Sequence, residues 1–167
     1  KSIKDTPAYA TYPGKDLQMD YEEGLYIGYR WYDKEKIDPL FPFGHGLSYT
    51  SFEYSNLRAI PPKGSASVAA FEFEICNTGD VAGKEIVQGY VKVSDSKIDR
   101  PRKELKKFTK ISLEPGETQK VKFELSEREL SFWNVDLHAW QVEPAEYIFE
   151  VGASAKDIRG SASVWLG

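Results

Sequence analysis

The clearest strand signal in this 167-residue chain is Phe71-Glu72-Phe73-Glu74-Ile75-Cys76-Asn77. Apolar side chains occupy every second position, so Phe71, Phe73 and Ile75 share one face of an extended strand and polar residues share the other. The next residues, Asn77-Thr78-Gly79-Asp80, tolerate positive φ or bond to the nearby backbone, as turns require. The stretch predicts a strand with one face in a core, ended by a turn.

The same two-residue period recurs along the chain from Phe52 onward. Six further segments show it, separated by turn-forming residues: 52–60, 85–94, 105–113, 119–125, 147–151 and 161–166. About seven short strands of this kind are typical of an immunoglobulin-like or fibronectin type III-like sandwich. The single Cys76, on the polar face of its strand, excludes the paired cysteines of antibody domains. We predict an all-β antiparallel β-sandwich over residues 51–167, preceded by an extended aromatic-rich tail.

Composition narrows the classes of partner. The chain has 22 basic and 26 acidic residues and a net charge of -4, and its basic residues form no single stripe, which argues against nucleic acid. No stretch approaches the roughly 18 consecutive apolar residues that span a bilayer. The N-terminus lacks the apolar core of a signal peptide and an initiator Met, so we expect the chain to begin inside a longer protein. None of these features assigns a cellular compartment.

The first fifty residues differ from the rest because they are rich in Tyr, Gly and Pro. Residues 21–33 carry aromatic side chains too densely for a solvated linker, and such a patch would mark an interface if it were exposed. Residues 39–50 combine two prolines, which fix φ, with two glycines, which allow unusual backbone geometry. Together they predict a stiff connector that belongs to something larger.

Two blocks of this tail carry a resemblance to a known family. Glu23-Gly24-Leu25-Tyr26-Ile27-Gly28-Tyr29-Arg30-Trp31-Tyr32-Asp33 and Pro39-Leu40-Phe41-Pro42-Phe43-Gly44-His45-Gly46-Leu47-Ser48-Tyr49-Thr50 closely resemble a junction in family 3 glycoside hydrolases of the β-glucosidase type. That junction joins the α/β sandwich domain to the C-terminal domain. The resemblance continues in order to the end of the chain, with Gly89 standing where the family usually has a larger apolar residue. It implies that residues 1–50 are the end of the catalytic α/β sandwich domain with its connector, and residues 51–167 a fibronectin type III-like domain.

The resemblance implies that this chain carries no catalytic residue of its own. Family 3 enzymes are retaining glycosidases, which need two carboxyl groups about 5 Å apart. In the family the nucleophile lies in a Ser-Asp-Trp type motif of an N-terminal barrel, and the acid/base lies upstream of the region matched here. No Ser-Asp-Trp occurs in this sequence. The resemblance therefore implies a non-catalytic part of a β-glucosidase that cleaves terminal β-D-glucosyl residues, with no cofactor and no metal.

The residues expected to contact other parts of the parent enzyme are those of the connector. Five aromatic side chains are predicted to dock against the catalytic domains of the parent glycosidase: Tyr26, Tyr29, Trp31, Phe41 and Phe43. His45 sits between two glycines and is either close to the sugar in the intact enzyme or in a local structural contact. No membrane partner is expected, and sugar contact by this chain is expected to be weak or absent.

Other polar and aromatic clusters allow two interpretations each. Asp95, Asp99 and Glu104 resemble possible calcium ligands, but their spacing and the intervening basic residues favour a polar loop. The lysines Lys103, Lys106, Lys107 and Lys110 are expected on the wet face of an edge strand. Trp133, Trp140 and Trp165 are expected in core or interface packing, with a sugar-stacking platform as the alternative. His138 has no partner at ligand spacing, so a metal role is not expected.

These observations leave three functional hypotheses. The first is a structural and interface domain braced against the catalytic part by the connector. The second is an autonomous carbohydrate-binding module, which needs an exposed, coplanar aromatic strip. The third is a generic fibronectin-like protein-interaction module, which does not need so dense an aromatic lead-in.

Overall fold

The computed structural model describes residues 2–63 and 66–167 and contains nine strands in that part of the chain. They are β1 Phe52–Ile60, β2 Ser67–Asn77, β3 Gly83–Val93, β4 Glu104–Leu113, β5 Thr118–Ser126, β6 Phe132–Asn134, β7 Ala139–Gln141, β8 Ala145–Gly152 and β9 Ile158–Leu166. One sheet has the order β1-β2-β5 and the other β4-β3-β8-β9, while β6 and β7 form a separate hairpin. All pairings between these strands are antiparallel. The predicted all-β sandwich is confirmed.

The core lies between the two sheets and follows the predicted alternation of β2. Phe71, Phe73 and Ile75 are buried, whereas Glu72, Glu74 and Cys76 are only partly covered. The Phe71 ring stacks on Phe149 of the opposite sheet with centroids 4.4 Å apart. Each large apolar side chain buried in this way stabilises the fold by roughly 1.5–3 kcal/mol. The register predicted from the sequence is therefore correct for this strand.

Gly89 of β3 lies against one phenylalanine ring from the neighbouring strand β8 and one from β5 of the opposite sheet. A Cβ atom at this position would lie 2.6 Å from Cζ of Phe149 and 3.2 Å from Cδ2 of Phe123. The absent side chain thus makes room for two phenylalanine rings, where the family usually has a larger apolar residue. A β-bulge against β4 follows between Gly89 and Tyr90.

The turn after β2 is held by a single buried amide. The Asn77 side chain is inaccessible to solvent and donates from Nδ2 to the carbonyl oxygens of Val81 and Leu113, at 2.9 and 3.0 Å. Its Oδ1 accepts from Thr50 Oγ1 at 2.6 Å and from the backbone N–H of Gly79 at 3.1 Å. Asn77 therefore joins the end of the tail, the turn itself and the end of β4.

The helices are short, being α1 Tyr29–Lys34, α2 Glu127–Leu130 and the 3-10 turns Ile3–Asp5 and Pro7–Tyr9. A capping box starts α2, with Ser126 Oγ accepting from the N–H of Glu129 and the Glu129 carboxylate accepting from the N–H of Ser126. In the described part of the chain, no helix has the length and apolar character of a membrane span.

Candidate domain interface

The connector, residues 21–50, folds back onto the outer face of the four-stranded sheet. Tyr29 in α1 makes the central contact, because its hydroxyl accepts from the N–H of Leu105 at 2.8 Å. Its ring lies edge-on to Tyr90 of β3 at 5.8 Å and tilted to Phe43 at 5.4 Å. Tyr90 is completely buried as a result, and burial raises the pKa of its hydroxyl.

The connector also approaches Gln88, which faces outward two residues before Tyr90 on β3. Gln88 Nε2 donates to the carbonyl oxygens of Ala153, at 2.7 Å, and Gly44, at 3.4 Å, while Oε1 accepts from the Tyr90 hydroxyl at 2.6 Å. Gly44 has a φ of 81°, and a Cβ atom there would lie 2.2 Å from Gln88 Nε2. Only glycine fits this position, because any side chain would meet both an unfavourable backbone conformation and the buried amide.

Charged groups surround this contact. Asp33 of α1 is buried and lies 3.1 Å from Lys156 Nζ, while its Oδ2 has no hydrogen-bond partner among the described residues. The backbone N–H of Ala155 donates to the carbonyl of Phe43 at 2.9 Å. Lys103 donates to the Ala155 carbonyl, and its ammonium lies 5.2 Å from the centre of the Tyr90 ring. The inner side of the connector is thus bonded to the sandwich at several separate points.

The position of Lys103 corrects one prediction. Lys103 was expected on a wet strand face with Lys106, Lys107 and Lys110, but only 9% of it is exposed, because it lies over the face of the sheet that the connector covers. Burial lowers the pKa of its ammonium, and the nearby carboxylates of Asp33 and Glu150 oppose that shift. For Lys110 the prediction agrees with the structure, because β4 is an edge strand and Lys110 is exposed on it. Lys106 and Lys107 are partly buried.

Two polar contacts extend the attachment along the start of β4. Arg30 pairs with Glu104 at 2.9 Å, and the Tyr26 hydroxyl donates to the Asp99 carboxylate. The hydrogen bond to Asp99 raises the pKa of Tyr26. Asp99 and Glu104, considered above as calcium ligands, thus contact the connector. Among the residues that the structure describes, no group of three or more His, Cys, Asp or Glu side chains is arranged to hold a metal ion.

The outer side of the connector presents apolar surface to solvent. Phe41 is 68% exposed and Phe43 52% exposed, although the Phe43 backbone is bonded to the sandwich. Other large apolar side chains of the connector are also exposed, namely Leu25, Ile27, Leu40, Leu47 and Tyr49. Large apolar surfaces left exposed mark interaction sites in soluble proteins, and this segment exposes many apolar side chains within thirty residues.

The five predicted docking residues fall into two groups. Tyr26, Tyr29 and Trp31 are half-buried in contacts within this chain, Trp31 through a 3.0 Å hydrogen bond from its indole to the Asp5 carbonyl. Phe41 and Phe43 face outward. His45 stacks on Phe41 with centroids 5.4 Å apart and is exposed, which is a local contact. Docking of the five on a catalytic part, and any sugar near His45, remain predictions.

Trp133, Trp140 and Trp165 do not lie in the core, which corrects one half of the expectation, while their packing at a domain interface stays a prediction. Trp133 and Trp140 pair across the β6–β7 hairpin and are 45% and 46% exposed, and Trp165 is exposed as well. The rings of Trp133 and Trp140 are inclined by 60°, and Arg128 covers one face of Trp140 at 3.1 Å. A flat sugar-stacking platform needs coplanar, open rings, so this pair does not form one. Strands β6 and β7 have three residues each and form a hairpin apart from the two sheets, so neither ring lies in the core between them.

Sequence reasoning missed the residues on the sandwich side of the interface. Gln88, Tyr90 and Lys156, and Asp33 opposite them in the connector, are not among the predicted site residues, because nothing close to them in the sequence shows which segment covers the outer face of β3. One signal was available in Gln88, since a long amide beside four apolar residues of the same strand indicates a buried, hydrogen-bonded polar group.

Comparison with known proteins identifies the family to which this chain is similar. A model described as a fibronectin type III-like domain matches residues 85–155. Thermostable beta-glucosidase B of Acetivibrio thermocellus is 45% identical over 157 residues, which are 93% of this chain and 21% of that protein. An exo-alpha-(1->6)-L-arabinopyranosidase of Bifidobacterium breve is 39% identical over 164 residues, covering 98% of this chain and 21% of that protein.

The solved structure of the GH3 beta-glucosidase of Bifidobacterium adolescentis superposes with a TM-score of 0.91 at 38% identity, covering 99% of this chain and 24% of that one. The chain spans about a fifth of the length of the curated relatives it matches. The domain match within the sandwich and the similarity along nearly the whole chain together show that it belongs to the C-terminal, fibronectin type III-like region of the family 3 glycoside hydrolases of the β-glucosidase type.

Proposed function

We propose that this chain is the non-catalytic C-terminal part of a β-glucosidase and that it stabilises the catalytic domains by packing against them. One observation carries the proposal: the connector is bonded to the sandwich on its inner side and exposes an apolar strip, including Phe41 and Phe43, on its outer side. A segment that is rigidly held yet apolar toward solvent is suited to bury that surface against another domain. Residues 1–50 would then belong to the interface and residues 51–167 to the bracing domain.

The arrangement favours a preorganised interface. Bonds from Tyr29, Gly44 and Phe43 to the sandwich fix the backbone before docking, which reduces the entropy lost on association. Aromatic side chains near the centre of an interface commonly account for about 2 kcal/mol or more of binding each. Phe41 and Phe43, exposed on a backbone held in this way, are therefore the side chains expected to contribute most to docking on the catalytic part.

The chain by itself is expected not to hydrolyse β-glucosides. A retaining glycosidase needs a nucleophilic carboxylate and a carboxylic acid about 5 Å apart across the scissile bond. The family places both upstream of the region that this chain matches. The hydrolytic activity, and the choice of terminal β-D-glucosyl residues, belong to the parent enzyme in this proposal.

The test is reconstitution from two pieces. The catalytic part of the parent enzyme is produced separately, and this chain is added while thermal stability and hydrolysis of an aryl β-glucoside are measured. We expect rescue by the wild-type chain and weaker rescue by Phe41→Ala and Phe43→Ala, with a loss of about 2 kcal/mol in binding for each. Trp31→Ala is expected to act through the shape of the connector and to weaken rescue similarly.

Phe108→Ala is the matched control, because Phe108 is exposed on edge strand β4 and lies outside the connector. Rescue that is equally strong after deletion of residues 1–50 would show that the sandwich alone makes the contact. Rescue reduced only by Phe108→Ala would transfer the interface to the β4 edge. Hydrolysis by this chain alone, abolished by mutating one of its own carboxylates, would refute its non-catalytic role.

A further inference from the structure

A cleft of about 520 Å³ lies where the connector, the start of β4, helix α2 and the β6–β7 hairpin meet. Its volume is within the range of roughly 300–1,000 Å³ that is usual for sites of small molecules. Trp133, Trp140 and Phe132 supply apolar walls, and Arg128 of α2 lies at the Trp140 wall. The cleft is separate from the exposed strip of Phe41 and Phe43.

Arg128 is the most distinctive group of this cleft. Its guanidinium carbon lies 3.1 Å from the centre of the Trp140 ring, so the planar group is stacked on the indole. In the part of the chain that the structure describes, Arg128 has no hydrogen bond and no ion pair with a carboxylate. Stacking uses the face of the guanidinium and leaves its N–H donors, which lie in the plane, available to an acceptor.

The charged side chains that line the cleft leave a positive excess of one, although the whole chain is acidic, because four cations face three carboxylates: Arg30, Arg100, Lys106 and Arg128 against Asp99, Glu104 and Glu129. Arg30 and Lys106 share the single carboxylate of Glu104, at 2.9 and 3.2 Å. Glu129, adjacent to Arg128, is already engaged by Lys107 at 2.6 Å and by the capping box of α2. Asp99, the third carboxylate of the lining, accepts from the Tyr26 hydroxyl, so each of the three has a partner other than Arg128.

A second guanidinium, that of Arg100, lines the same cleft. Arg100 lies 3.3 Å from Glu143 through Nη2, yet its Nε and Nη2 atoms are buried without a hydrogen-bond acceptor among the described residues. A ligand in the cleft therefore meets the donors of the exposed Arg128 and not these two closed-off atoms of Arg100. The combination of cationic donors with aromatic walls is suited to an anion that carries a ring.

We propose that this cleft binds a carboxylate attached to a six-membered ring. The carboxylate pairs with the in-plane donors of Arg128, which match its two oxygen atoms, and the ring packs against Trp133. A neutral sugar lacks the charge that the excess of cations selects, and a cationic ligand would be repelled. Uronic acids and aromatic carboxylic acids both present this chemistry, and the probes below distinguish them.

The experiment follows the indole N–H signals of the intact chain by ¹H–¹⁵N NMR during titration with D-glucuronate, benzoate or D-glucose. The chain has four tryptophans, so each titration contains its own control. Trp133 and Trp140 line the cleft and are expected to shift, whereas Trp31 and Trp165 do not line it and should remain still. We expect saturable shifts with at least one carboxylate at millimolar concentration, and weakening of binding in 0.5 M NaCl because charge attraction is screened.

Arg128→Gln is expected to weaken binding of the carboxylate about tenfold, since it removes the charged partner. Arg128→Lys keeps the charge but loses the planar fork and should give an intermediate affinity. Arg102→Gln is the matched control, because Arg102 is an exposed arginine that does not line the cleft. Unchanged positions of the Trp31 and Trp165 signals in each variant verify that the fold is retained.

Saturable binding of glucuronate but not glucose would support the proposal and identify an acidic sugar as the source of the carboxylate. Binding of benzoate alone would support it with an aromatic acid as the source. Equal shifts with glucose and glucuronate, shifts of all four indoles, or no response to either acid would overturn it. Affinity unaffected by both Arg128 variants would overturn it as well. The titration uses no upstream catalytic part, so its outcome is independent of whether the connector docks on one.

Discussion

Replacement of Asn77 should destabilise this chain more than its position in a surface turn suggests. The side chain makes four hydrogen bonds in a site with no solvent access, two from Nδ2 to Val81 and Leu113 and two to Oδ1 from Thr50 and Gly79. Asn77→Ala removes all four and leaves the buried carbonyls without donors. At roughly 1 kcal/mol for each bond, the expected loss is about 4 kcal/mol in the free energy of unfolding.

Two further variants test the origin of that loss. Thr50→Val removes one bond with little change in shape and should cost about 1 kcal/mol. Asn77→Asp keeps the size of the side chain but puts a carboxylate oxygen where Nδ2 donates to the Val81 and Leu113 carbonyls. The repulsion between these oxygen atoms is relieved only if the acid is protonated and donates a hydrogen bond. Burial and those carbonyls will therefore raise the pKa of the introduced carboxyl in the folded state above the value of about 3.9 expected when unfolded.

The sign of the pH effect follows from that shift. An acid whose pKa is raised by folding binds more protons in the native state, so stability relative to wild type is greatest below pH of about 4 and falls as pH rises through the folded-state pKa. Urea denaturation followed by far-UV circular dichroism between pH 4 and pH 8 measures it for all four proteins. A loss under 1 kcal/mol for Asn77→Ala, or an Asn77→Asp protein whose stability relative to wild type does not change with pH, would refute the account of this amide.

Three further experiments probe the sandwich. Phe73→Ala should cost about 3–5 kcal/mol because the ring is fully buried, whereas Glu74→Ala on the opposite face should cost little; the reverse order in urea denaturation would mean that the register is wrong. Gly89→Val should destabilise by about 1–3 kcal/mol, because the added atoms meet Phe149, and a chain of unchanged stability would contradict that contact. The half-buried thiol of Cys76 should react with a thiol reagent in the folded chain more slowly than after unfolding, and complete protection would contradict its partial exposure.

Local sequence was sufficient for the strands because their signal is a short-range alternation. In β2 the period of two placed Phe71, Phe73 and Ile75 in the core, and the sandwich class followed from repeating that signal along the chain. The ends of the strands were less exact, since pairing partners extend β2 back to Ser67 beyond the alternating stretch. The turn after β2 was also predicted, but as local chemistry and not as the four-bonded site of Asn77.

The candidate interface could be predicted only on one side. Aromatic density in residues 21–33 and the Pro-Gly pattern of residues 39–50 indicated a shaped connector, and the resemblance gave it a family context. Nothing in those residues states which surface they cover. Lys103 is an example. Its lysine-rich neighbourhood predicts a solvated side chain, but it is buried because the connector covers that face of the sheet.

By itself, the sequence determined the alternation of faces, the sandwich class, the lone thiol and the aromatic character of the tail, since each depends on residues close together in the chain. The tertiary structure alone decided that Tyr29 and Gly44 meet Tyr90 and Gln88, which lie more than forty residues later. It also decided that Arg128 stacks on Trp140 without a carboxylate partner. Such contacts depend on how separate segments pack, and the free energy of that packing is shared among residues that no local pattern connects.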